Sequence, residues 1–120
     1  MTRDMELIKA LVQRIAAEEE WPARRSWGPA DPNESYHLYL LMDAGLIRAR
    51  ELTHQSGCSD YMIDGLTWKG QEFLALASDK GRWDRLKSMA SERLATLPFD
   101  VITRLLAVFA ENSIEELLKS

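Results

Sequence analysis

Cysteine is almost absent: Cys58 stands alone in 120 residues. A single thiol excludes an internal disulfide and a thiolate zinc site. Long apolar runs are missing as well. The longest holds six residues, Leu105–Ala110, against the roughly 20 that a membrane-spanning helix needs. The opening Met1-Thr2-Arg3-Asp4-Met5-Glu6 lacks the apolar core of a secretory signal. The six glycines never cluster into a phosphate-cradling loop. Positive charge is not in excess either, with 15 Lys+Arg against 19 Asp+Glu and a net charge of −4. That balance argues against a generally basic nucleic-acid binder and leaves room for a local patch. What is present has the composition of a globular domain, 46% hydrophobic and 28% charged. The chain therefore reads as one soluble domain of the reducing cytoplasm, non-enzymatic, with no cofactor, no metal and no membrane segment.

Hydrophobic periodicity outlines the elements. Met5, Ile8, Val12 and Ile15 recur at helical spacing, with Leu11 beside them. They predict a first helix from Arg3 to Glu20, with Thr2 or Asp4 as its cap and Trp21-Pro22 as its stop. Residues 21–33, punctuated by Pro22, Gly28, Pro29 and Pro32, read as a loop or short strand that folds Trp21 and Trp27 onto a core. Asn33 suits the cap of a second helix, Glu34–Ala44, and Gly45 suits its left-handed C-terminal stop. At 100° per residue, Tyr36, His37, Leu40, Leu41 and Ala44 share one arc, and Ser35, Leu38, Tyr39 and Met42 the opposite one. Leu46–Gln55 and Tyr61–Leu66 alternate as strands of a hairpin around the Ser56–Asp60 turn cluster. Thr67 is placed to cap a third helix with Phe73, Leu74 and Ala77 buried. Asp79-Lys80-Gly81 breaks it before a continuation through Trp83, Leu86, Ala90 and Leu94. Asp100 is placed to cap a last helix, and Ser113-Ile114-Glu115-Glu116 matches a capping box that would start a separate turn after Asn112.

Helix, loop, helix ending in Ala44-Gly45-Leu46-Ile47, hairpin, then a helix opening with Leu66-Thr67-Trp68-Lys69-Gly70 is the order of a winged helix-turn-helix. The loop at 21–33 takes the place of that fold's middle helix. The expected class is mainly α with a small β-hairpin (α+β). Residues 1–78 would form the winged-helix-like domain, and residues 79–120 a helical extension packed on it as one unit.

Four stretches extend the likeness. Arg3-Asp4-Met5-Glu6-Leu7-Ile8, the run Tyr36–Ile47, the run Gly65–Leu74, and Trp83 with Phe99-Asp100-Val101-Ile102 appear in the order found in a bacterial and phage family, domain of unknown function 2513. The chain resembles that family over nearly its whole length. The resemblance implies a helix-turn-helix-like fold and a bacterial or prophage setting, and no particular activity. The Trp- and Pro-rich 21–33 segment departs from the family's pattern, which bears on the geometry of any DNA docking.

Two binding readings follow. In the first, the chain is a regulator that binds double-stranded DNA. Arg24, Arg25, Arg48 and Arg50 contact phosphates, and Ser35 and Tyr39 face a groove. No Lys or Arg occurs between Asn33 and Ile47, so this reading rests on the wing. In the second, the fold is a protein-interaction or dimerisation adaptor, with Leu38, Tyr39, Met42 and Phe109 as contact residues. The apolar C-terminal helices are expected to join a homodimer. His37 reads as a core histidine bonded through one ring nitrogen, because His54 lies on another element and supplies no ligand set. A hydrolase built on Cys58 and His54 is a remote third reading, since no base motif surrounds the thiol.

Overall fold

The computed structural model describes residues 2–18, 25–52 and 60–119. The chain is mainly helical with a small three-stranded antiparallel sheet. Helix α1 spans Met5–Ala17, strand β1 Arg25–Trp27, α2 Pro32–Asp43, β2 Ile47–Leu52, β3 Asp60–Leu66, α3 Trp68–Ala77, α4 Lys80–Ala90 and α5 Phe99–Lys119, with a 3-10 turn at Ser91–Ala95. The elements fall into two compact units, Met1–Gln71 and Glu72–Ser120, and α3 runs from the first into the second.

Within the first unit, α1 buries Met5, Ile8, Leu11, Val12 and Ile15, the stripe that the periodicity predicts. Its cap is Asp4, whose carboxylate accepts from Glu6 N–H at 2.9 Å and Leu7 N–H at 3.4 Å. Asp4 N–H in turn donates to His37 Nε2 at 2.8 Å, and His37 Nδ1–H donates to Asn33 C=O at 2.7 Å. His37 is fully buried. It is a satisfied core histidine tied through both ring nitrogens, not one, and the pattern of partners assigns its neutral Nδ1–H tautomer.

Helix α2 starts earlier than expected. Asp31, not Asn33, is its cap, accepting from Glu34 N–H at 2.8 Å, and Pro32 occupies the first turn. Proline suits that position because its missing N–H would be unsatisfied there anyway and its φ is already helical. The helix ends as predicted at Gly45, with φ of 78°. Gly45 N–H bonds Met42 C=O at 3.1 Å and Leu46 N–H bonds Leu41 C=O at 2.9 Å, the paired bonds of a Schellman stop.

The sheet has the order β1-β3-β2, with both pairings antiparallel. The predicted hairpin is present, and Trp27–Tyr61 register adds β1 on the other side of β3. Arg48 pairs with Gly65 but Ala49 with Ile63, so Asp64 is the extra residue of a bulge. Gly65 there has φ of 144°, a backbone conformation that favours glycine. The bulge lets both Ile63 and Leu66 turn inward.

The start of α3 is fastened to the end of α2. Thr67 N–H bonds Leu46 C=O at 3.0 Å, Thr67 Oγ1 donates to Gly45 C=O at 2.6 Å, and Gly70 N–H donates to Thr67 Oγ1 at 3.1 Å. A Cβ at Gly70 would lie 2.0 Å from Leu46 O. The Leu66-Thr67-x-x-Gly70 spacing thus supplies a capping hydroxyl and a bare Cα at one point of close approach.

In the second unit, Asp79 caps α4 by accepting from Arg82 N–H at 2.8 Å, at the predicted break. Phe73 meets Trp83 and Phe99 edge-on at 6.3 and 6.1 Å between ring centroids. Helix α5 corrects two expectations. It begins at Phe99, so Asp100 lies inside its first turn and does not precede it. It also continues unbroken to Lys119, so no separate turn starts after Asn112. A serine in a helix interior costs only tenths of a kcal/mol, and no Gly or Pro follows Ser113 to end the helix.

Candidate nucleic-acid interface

The predicted site residues fall into separate groups. Arg48 and Arg50 lie on β2 and are exposed. Strand alternation puts them on one face with Leu52, while Ile47, Ala49 and Glu51 take the other. Their Cα atoms are roughly 7 Å apart, two residues of strand rise. Their register partners are Gly65 and Met62, with Asp64 of the bulge next to Gly65 and Asp60 two residues before Met62. Among the described residues neither arginine takes part in an ion pair. The same strand pair carries Glu51, Asp60 and Asp64, so the two arginines are exposed cations among carboxylates.

The inward face of the same strand belongs to α2. Tyr61, the register partner of Glu51, donates its hydroxyl to Ser35 C=O of α2 at 3.3 Å. Burial raises the Tyr61 hydroxyl's pKa above its ordinary value near 10. A hydrogen bond with Ser35 works against that rise, and the nearby charges of Glu51 and Tyr39 add to it. Arg48 and Arg50 therefore project from the sheet face turned away from α2.

That geometry corrects the expected groove-facing arc of α2. Ser35 and Leu38 are buried, on a helix that packs against β2 and accepts the Tyr61 hydroxyl of β3 at Ser35 C=O. Tyr39 stays 44% exposed, and Met42 is half-buried. The solvent side of α2 carries Tyr39 and Asp43, with Tyr36 and Leu40 half-buried beside them and no cation. Phe109 is not a surface residue either. It is buried in α5 with the Arg85 guanidinium 4.3 Å from its ring centroid, while Val108 beside it stays exposed. Arg25 opens β1 opposite Ile63. Arg24, Trp21, His54 and Cys58 lie outside the described residues, and with them the Cys58–His54 pairing.

One cluster escaped the sequence reading. Trp27 is buried as expected, and its indole N–H donates to Glu34 Oε1 at 3.0 Å. Glu34 Oε2 accepts Ala30 N–H at 3.1 Å, and the Arg14 guanidinium stacks 4.3 Å from the Trp27 ring. Arg14 Nη1 also reaches Glu34 at 3.8 Å. These contacts hold Gly28–Asp31 as a tight, non-helical link between β1 and α2. Its signal was the spacing of Glu34 three residues after Asp31, a capping-box pattern missed by setting the cap two residues later at Asn33. A second miss is Trp68, 81% exposed at the first position of α3. It stands about 160° around the helix from Gly70 and away from Phe73 and Ala77, an offset visible in the spacing alone.

Among the described residues, no group of three His, Cys, Asp or Glu side chains is placed to hold a metal ion. No described helix is long and apolar enough to cross a membrane. No solved structure matches the chain. An uncharacterised protein of Haemophilus influenzae (strain ATCC 51907 / DSM 11121 / KW20 / Rd) is 30% identical over 108 residues, covering 85% of this chain and 89% of that protein. A family model described as hypothetical protein (DUF2513) matches residues 2–96, which takes in both the fastened α2–α3 joint and the arginine-bearing strand. The chain belongs to the DUF2513 family.

Proposed function

We propose that the chain is a non-enzymatic binding protein whose first unit is winged-helix-like and contacts duplex DNA through the hairpin. The reading is carried by Arg48 and Arg50, exposed on one face of β2 with the uncharged register partners Gly65 and Met62. The strand order β1-β3-β2 and the hairpin that follows α2 support it by analogy of fold. Helix α2 has no cation on its solvent side, so contact runs through phosphates and not through base edges. Binding of this kind is weak, sequence-tolerant and salt-sensitive, with dissociation constants of roughly 10⁻⁴–10⁻⁶ M. The test is retention of a pool of mixed-sequence duplexes at low salt, repeated with Arg48→Glu combined with Arg50→Glu. Loss of two phosphate contacts is expected to abolish retention or to flatten the salt slope by about two. No retained duplex, or retention unchanged in the double variant, overturns the reading.

The adaptor reading draws on a different observation, the aromatic and cation-free solvent side of α2 with Tyr39 at its centre. Tyrosine is favoured at protein interfaces for its large rigid surface. Under this reading, Tyr39→Ala with Met42→Ala lowers recovery of a partner in a pull-down, whereas Arg48→Glu with Arg50→Glu does not.

A further inference from the structure

We infer that Trp68 is a base-stacking residue, and that the nucleic acid taken by the first unit contains unpaired bases. The inference rests on the reading of Arg48 and Arg50 as phosphate contacts and names the form of nucleic acid they serve.

Trp68 is 81% exposed, while Trp27 and Trp83 are buried. An indole left in water contributes almost nothing to folding, because the hydrophobic gain scales with area removed from solvent. Its position is nonetheless fixed. It opens α3 between Thr67, which bonds both Gly45 and Leu46, and Gly70, whose Cα abuts Leu46 O. Those bonds set the first turn of α3 beside the beginning of β2. Gly65 lies across the sheet from Arg48 and three residues before Trp68, so the indole-bearing Cα is within roughly 10 Å of Arg48's register partner. The exposed indole is thus carried on a helix start that is bonded beside the end of the strand pair bearing the two arginines.

That combination fits single-stranded nucleic acid. Such ligands are held by cations along the backbone and by aromatic rings on which splayed bases stack, and stacking tolerates any sequence because every base has a π-face. A duplex keeps its bases stacked inside and offers Trp68 only its backbone. Arg48 and Arg50 offer two exposed cations to backbone phosphates, which an apolar peptide does not carry.

The experiment measures anisotropy of a fluorescein-labelled mixed-sequence 15-nucleotide single strand, and of the same sequence as a duplex, against the full chain at low salt. The wild-type chain is expected to bind the single strand more tightly than the duplex. Trp68→Ala weakens single-strand binding about tenfold and leaves duplex binding unchanged, whereas Trp68→Phe, which keeps an aromatic face, retains most of it. Circular dichroism of Trp68→Ala, expected to match wild type, confirms that the loss is not one of folding. Equal single-strand binding by wild type and Trp68→Ala overturns the proposal even if duplex is retained. Failure of both nucleic acids to bind overturns the phosphate reading beneath it as well.

Discussion

Two parts of the first unit, a few residues apart in sequence, are built in opposite ways. The α2–α3 joint is closed: Gly45, Leu46, Thr67 and Gly70 meet through backbone atoms, with a Cα where no side chain fits. The outward face of β2 is open, with Arg48, Arg50 and Leu52 standing in water. A closed joint tolerates no added atom and determines stability. An open face tolerates most substitutions and is free to serve binding. The difference separates the two roles within a single turn of chain.

The largest expected effect breaks the joint. Gly70→Ala puts a Cβ 2.0 Å from Leu46 O. Because the obstacle is backbone, relief requires α3 to move away from Leu46. The loss should be roughly 3 kcal/mol or more, read as a fall in the urea midpoint. A smaller cost in the variant means that the helix shifts freely and that the joint is not closed.

Next comes His37, which fastens the start of α1 to α2. His37→Ala leaves Asp4 N–H and Asn33 C=O without their imidazole partner and opens a cavity in the core. A loss of about 2–4 kcal/mol is expected in the same measurement. A change below 1 kcal/mol would mean that water replaces the ring.

Tyr61 responds at high pH, since it lies under the inward face of the strand whose outward face is open. Burial, the principal cause, raises its pKa in the folded chain. Its contribution to stability is therefore intact below pH 10 and is lost as pH climbs through the raised value. Tyr61→Phe should fall less steeply in stability above pH 10 while changing little at pH 7. An alkaline limb identical to wild type would contradict this. The smallest stability effect belongs to the open face: Arg48→Glu with Arg50→Glu should shift the midpoint by no more than about 0.5 kcal/mol, so that any loss of DNA retention reports binding and not unfolding.

Much of the architecture was legible because local signals agreed. The α1 stripe, the Gly45 stop, the Thr67 cap and the Asp79 break each depend on residues within one or two turns of each other. The errors occurred where two local signals competed. Asp31 and Asn33 both suit a helix cap, and Pro32 decides between them by favouring the earlier start. The Ser113 capping box is outweighed by a helix that nothing interrupts. The candidate site was less legible. The wheel of α2 drew its two arcs in the wrong place: the buried side takes His37 and Leu41 from one arc and Ser35 and Leu38 from the other, because packing partners set the boundary.

By itself the order of residues determined the elements, their caps and the alternation that puts Arg48 and Arg50 on one side of β2. Only the tertiary structure decided which side of that strand meets α2, that Phe109 lies beneath Arg85, and that Trp68 is left in water. The reason is range. Caps, stops and periodicity arise from bonds between near neighbours in the chain, whereas exposure depends on what distant segments cover once they pack.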